Sequence, residues 1–145
     1  MQLFYDCLPD DETGTVAFTA WANTGNETHY YENDIIAFNE VLTNAGGHYN
    51  AATSSFICPW DGVYLISASI MSDQSEYIDI NIMRNDVMLA RVLVDDMIGG
   101  WNQGSTTIVT ECDRSDIVWI RSGQSGTLYA VEPSNMFTGH ILHRF

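Results

Sequence analysis

The chain has 145 residues, 46% hydrophobic and 17% charged, which suits one domain burying about 70% of its unfolded surface and argues against disorder. Nineteen acidic residues stand against five arginines and no lysine, a net charge of −14. Such a surface repels phosphate backbones and anionic lipid, so nucleic-acid binding and membrane insertion are not expected.

Residues 1–13 carry Asp6, Asp10, Asp11 and Glu12 and read as an acidic N-terminal tail before a domain at 14–145. They show no charged-then-apolar signal layout, and no run of eighteen apolar residues occurs anywhere. Thr15 to Ala22 reads as the first strand. A polar loop from Asn23 to Asp34 follows, with Tyr30, Tyr31 and the sequon Asn26-Glu27-Thr28, which would make Asn26 a glycosylation acceptor in a secreted protein. Ile35, Ile36 and Phe38 predict a short strand.

From Phe38 to Tyr64, large rings alternate with the turn residues Asn44, Gly46, Gly47, Pro59 and Gly62. Rings dominate core burial and Gly, Asn and Pro serve reversals, so this stretch reads as short strands turning a sheet corner. Gly62 to Met71 is the longest apolar run. Tyr77–Met83 and Val87–Val94 flank Arg84-Asn85-Asp86 as a hairpin. Asp95 to Gly104 reads as a loop. Ser105–Cys112 and Ile117–Arg121 are strands joined by Asp113-Arg114-Ser115-Asp116, and Thr127–Val131 and Met136–Phe145 complete the chain. About ten short strands with little helix predict an all-β sandwich or jelly roll.

Two strands are apolar on both faces. Gly62 to Met71 carries Tyr64, Ile66, Ala68 and Ile70 on one side and Val63, Leu65 and Met71 on the other. The last strand carries Phe137, Ile141 and Phe145 against Met136 and Leu142. One face meets the partner sheet, so the second is expected to meet another subunit.

Catalytic signals are weak. His140 and His143 lie three apart, which strand alternation places on opposite faces, so they cannot share a metal without a bulge. Gly123-Gln124-Ser125-Gly126 does not satisfy a nucleophile elbow. Asp95-Asp96 has no nucleophile beside it, and an enzyme is not expected. Cys7, Cys58 and Cys112 lack metal-ligand spacing. Cys112 reads as a small buried apolar residue, while Cys7 either cross-links chains or sits in a disordered tail. Aromatic faces beside amides suit sugar rings, which makes Trp101, Gln103, Tyr30 and Tyr31 candidate ligand contacts. Equally, Trp101 could pack over the sheet edge or into a subunit contact.

Phe38, Asn44, Tyr49, Phe56, Gly62 and Tyr64 hold the spacing of a known signature, that of the globular head domain of the complement C1q family, which the chain resembles. Leu65 and Ser67 stand where that signature continues with aromatics. Asp116-Ile117-Val118-Trp119-Ile120, Leu128-Tyr129-Ala130 and Phe137-Thr138-Gly139 resemble later family segments. The resemblance implies a ten-stranded jelly-roll sandwich, similar in fold to tumour necrosis factor, secreted and homotrimeric. It also implies loops that bind microbial carbohydrate, lipopolysaccharide, immunoglobulin or receptors.

No Gly-X-Y tract precedes the domain, so the chain looks most like a stalkless, invertebrate-type pattern-recognition lectin of innate immunity. A tumour necrosis factor-like signalling ligand, or an extracellular calcium-binding or matrix protein, are the alternatives. Some relatives bind calcium near the trimer axis through aspartates flanking the Val94–Gly104 loop. Those places fall here on Asp95 or Asp96 and on Asn102, followed by Gln103. Cys58 stands where many relatives carry a cysteine, but the partner they use falls near Asp79, so that bridge is missing.

Overall fold

The computed structural model describes residues 14–25, 27–72, 77–95, 100–130 and 133–145. Asn26, Asp96, Cys7 and the acidic tail lie outside the described residues. Twelve strands form among them, against the ten expected, and no helix: β1 (Ala17–Trp21), β2 (Glu27–Tyr30), β3 (Glu40–Ala45), β4 (Tyr49–Asn50), β5 (Ser55–Ile57), β6 (Gly62–Ser72), β7 (Ile78–Arg84), β8 (Val87–Val94), β9 (Asn102–Cys112), β10 (Ile117–Ser122), β11 (Gly126–Tyr129) and β12 (Met136–Arg144).

They build two antiparallel sheets. The larger runs β2-β11-β6-β12-β1-β3, with β9 also paired to β6, and the smaller runs β4-β5-β10-β7-β8. β9 pairs with β6 over its full length, from Gly62↔Cys112 to Ser72↔Asn102. β12 and the end of β11 share the other edge of β6. This is a jelly-roll sandwich.

Three local expectations are corrected. The polar loop after β1 contains a strand, β2, because the edge of β11 needs a partner and Glu27–Tyr30 supplies it with Tyr30 turned inward. Ile35, Ile36 and Phe38 do not form a strand. Ile35 makes one isolated bridge to Arg121, Ile36 donates to the Ile120 carbonyl, and Phe38 donates to Ser54 Oγ at 2.9 Å. Burial of the Ile36 and Phe38 side chains holds this stretch, and the strand lies later, at β3. Finally, Asn102, Gln103 and Gly104 belong to β9 rather than to a loop, since the eleven residues of β6 offer them a ladder.

The signature residues converge on one ring cluster. Phe18 stacks on Tyr49 at 4.7 Å and Phe56 at 4.8 Å, and meets Phe137 edge-on at 4.8 Å. The Asn44 side chain clamps both backbone polar groups of Tyr49, accepting from its N–H at 3.0 Å and donating to its carbonyl at 2.9 Å. The Tyr49 hydroxyl donates to the Phe38 carbonyl at 2.6 Å, and that of Tyr64 to the Trp60 carbonyl at 2.7 Å. These bonds let two phenols sit in the core without an unpaired polar atom. A Cβ at Gly62 would collide with the His143 carbonyl, so β6 and β12 approach this closely only at glycine.

Alternation along β6 holds: Tyr64, Ile66, Ala68 and Ile70 are buried, while Val63, Leu65, Ser67, Ser69 and Met71 are half-buried on the outward face. Across that face the register aligns five hydroxyls, Thr43–Thr19–Thr138–Ser67–Thr107. Thr19 and Thr138 hydrogen-bond at 2.7 Å, and Thr107 donates to Ser67 at 3.0 Å. In β12 a bulge between Ile141 and His143 changes the parity. His140 lies opposite Leu65 and His143 opposite Val63, so both stand on one face, contrary to simple alternation. Leu142 and Phe145 are exposed.

Candidate functional site

The Gly62 and Ser72 ends of β6 lie about 33 Å apart. At the Ser72 end the structure assembles an exposed aromatic track. Gly100 takes a φ of 132°, which a side chain would resist, and delivers Trp101 to the surface. The indole is 49% exposed and leans on Tyr129 at 4.7 Å. Tyr129 in β11 stands opposite Glu27 in β2, and Thr127 stands opposite His29, so these four share one outward face. His29 Nδ1 and Thr127 Oγ1 are 3.2 Å apart, and the His29 ring meets Tyr31 edge-on at 4.9 Å. Trp101, Tyr129, His29 and Tyr31 therefore line one side of the β2–β11 ribbon. Amide, hydroxyl and carboxylate groups are interleaved with them.

The expected contacts are thus partly brought together. Trp101 and Tyr31 lie on the track. Gln103, in β9 beside it, donates from Nε2 to the Ser134 carbonyl at 2.7 Å. Tyr30 is buried, its hydroxyl accepting from the Ala37 N–H, and burial pushes its pKa up. Its ring is not offered to a ligand, because the residue alternates inward from Tyr31. Asn102 is exposed, and its carbonyl accepts from Ser72 Oγ at 3.4 Å; Asp95 is exposed just beyond β8. Among the described residues no group of three His, Cys, Asp or Glu side chains is placed to hold a metal.

Sequence reasoning misses His29 and Tyr129 as contacts. Their signal is the period-two match between Glu27–Tyr30 and Gly126–Tyr129, legible once both are read as paired strands.

A second concavity lies at the Gly62 end, about 430 Å³ and lined by residues including His48, Trp60 and Arg114. The Arg144 guanidinium lies over the Trp60 ring at 4.6 Å. On the smaller sheet, Asp79 holds a bidentate pair with Arg91, at 3.0 and 2.6 Å. Asp79 lies beside Gly123 and Cys58 beside Asp116, at opposite ends of β10, so these two positions do not face each other.

Comparison with known proteins agrees with this architecture. The sequence profile of the C1q domain matches residues 17–142. A complement C1q subcomponent of Mus musculus is 30% identical over 123 residues, covering 82% of this chain and 48% of that protein. Complement C1q tumor necrosis factor-related protein 7 of Mus musculus is 32% identical over 137 residues, covering 90% and 46%. The chain spans about half the length of these curated relatives. Among solved structures, the globular domain of zebrafish complement 1qA protein superposes with a TM-score of 0.71 at 18% identity, covering 90% of this chain and 99% of that one. Eiger TNF from S. frugiperda superposes at 0.72 and 11% identity, covering 91% and 95%. By profile, sequence and fold, the chain belongs to the C1q domain family.

Proposed function

We propose that this protein is a secreted, non-catalytic recognition module that binds carbohydrate on microbial surfaces as a homotrimer. The observation that carries the reading is the Trp101–Tyr129–His29–Tyr31 track. Its rings present apolar faces to the CH side of a sugar, with Thr127, Glu27 and Gln103 beside them for hydroxyls. Half-buried apolar residues on the outward face of β6, with Val109 exposed on β9 and Leu93 on β8, supply the surface for self-association. Three tracks on one particle turn weak single-sugar contacts into useful avidity.

Calcium belongs to the same reading. Asp95 and Asn102 of three subunits, with Asp96, would offer carboxylate and amide oxygens near a shared axis, and the cation would offset their mutual repulsion. Likeness in fold to Eiger TNF supports a second reading, a signalling ligand for a protein receptor. A glycan array probed with and without EDTA separates the two. Sugar binding supports the lectin, and its loss in EDTA supports the calcium. A silent array alongside tight binding to one surface protein would establish the signalling ligand instead.

A further inference from the structure

Two of the three cysteines meet in the core. Cys58 follows β5 of the smaller sheet, and Cys112 ends β9 of the larger. Cys58 is tied by its main chain to the turn just after Cys112: its N–H donates to the Asp116 carbonyl at 2.9 Å, and its carbonyl accepts from the Ser115 N–H at 2.8 Å. Cys112 pairs with Gly62, four residues beyond Cys58. Both are free thiols, 0% and 2% exposed, and both belong to the one hydrophobic core. Arg84, which donates to the Glu111 carbonyl and lies 3.9 Å from Asp116, places its guanidinium beside Cys112.

We propose that Cys58 and Cys112 form a disulfide that staples the two sheets together at the Gly62 end of the sandwich. Native packing already holds both residues at one end of the core, with the Cys58 main chain bonded to the turn that follows Cys112, and covalent closure brings the sulfurs to about 2 Å. The pair is also chemically asymmetric. The neighbouring Cys112 thiol, together with burial, pushes the Cys58 thiol up. The neighbouring Cys58 thiol, with Arg84 nearby, lowers Cys112. Cys112 is therefore the attacking thiolate.

With glutathione disulfide as oxidant, the Cys112 thiolate attacks one sulfur and its S–S bond breaks. One glutathione leaves and takes up the proton that Cys112 lost. Cys58 sulfur then attacks the Cys112 sulfur of the mixed disulfide, and its proton goes to the second departing glutathione. Two protein thiols are oxidised and one glutathione disulfide is reduced to two thiols. Since both sulfurs are buried, exchange proceeds through opening of the strand end or during folding.

The test uses a Cys7→Ser variant of the full chain, which leaves these two thiols alone. It is refolded in a buffer of reduced and oxidised glutathione, quenched with iodoacetamide under denaturing conditions, and weighed intact and after cleavage at arginine. Cleavage at Arg84, Arg91 and Arg114 separates Cys58, in residues 1–84, from Cys112, in residues 92–114. The expected result is a mass about 2 Da below the dithiol. It should carry no carbamidomethyl group, and the two peptides should stay joined until reductant is added. Because the bond closes a loop of about 54 residues, the oxidised form should melt on the order of 10 °C above the reduced one. Two alkylated thiols, or glutathione adducts on unlinked peptides, would overturn the proposal. Peptide masses need no stable fold, so a poorly folding variant still gives an answer.

Discussion

Replacing Trp101 by Ala tests the aromatic track directly. The indole is half exposed, and among the described residues its one ring contact is Tyr129 at 4.7 Å. Losing that contact costs the fold about 1 kcal/mol. For a domain of this size the melting temperature should fall by less than about 5 °C. Binding should suffer more. A sugar face covering roughly 60 Å² of the indole, at about 25 cal/mol/Å², contributes about 1.5 kcal/mol, or about tenfold in affinity. If three subunits engage one surface together, the losses multiply to about a thousandfold. The assay is surface binding to the glycan that ranks first on the array, immobilised at low and at high density. Wild type and Trp101→Ala should differ about tenfold at low density and far more at high density. Unchanged binding at both densities with an unchanged melt would refute the track as the site. A melt lowered by more than about 10 °C would instead make the indole a structural ring.

The core and its faces give three more tests. Phe18→Ala opens a hole among three rings within 4.8 Å and should cost about 3–5 kcal/mol by urea unfolding; a loss below about 1 kcal/mol would contradict the central role of Phe18. Burial pushes Tyr49 and Tyr64 up to about 12, above the unfolded value near 10, so unfolding releases their protons earlier. Their contribution is complete below about pH 10 and is lost as pH climbs through about 12; a urea midpoint flat across that range would contradict it. Val109→Glu places a charge on the exposed edge residue of β9 and should convert a trimer to monomers by light scattering, whereas a variant that keeps the wild-type mass would move the contact elsewhere.

Much of the fold was legible because its strongest signals are local. The ring and turn spacing from Phe38 to Tyr64 reports a cluster built around Phe18, and the two apolar faces of β6 report one buried and one outward surface. Less legible were elements whose partner lies far along the chain. β2 is a polar tetrapeptide that becomes a strand only because β11 runs beside it, about a hundred residues later. Likewise Asn102 and Gln103 are strand residues because β6 extends far enough to pair them. Alternation misplaced His143 because a bulge leaves no clear mark in composition. The candidate site was half visible for the same reason. Trp101 and Tyr31 stand out as loop aromatics, whereas Tyr129 and His29 join them only through cross-strand pairing.

The pairing of β9 has a consequence for how this protein survives in solution. Among the described residues its only ladder is to β6, so eleven residues present a second row of backbone groups to whatever approaches. Six of them in succession, Ser105 to Thr110, carry no charge and no proline, and five are β-branched. Such a hexapeptide on an open edge is a template for fibril growth. The charge of −14 then acts as insulation, since two copies must approach against strong mutual repulsion before their edges can zip. Salt shortens the reach of that repulsion to about 10 Å at 0.1 M, and acid removes it by protonating the carboxylates. Acidic salt solutions are therefore where isolated chains should first turn into fibres.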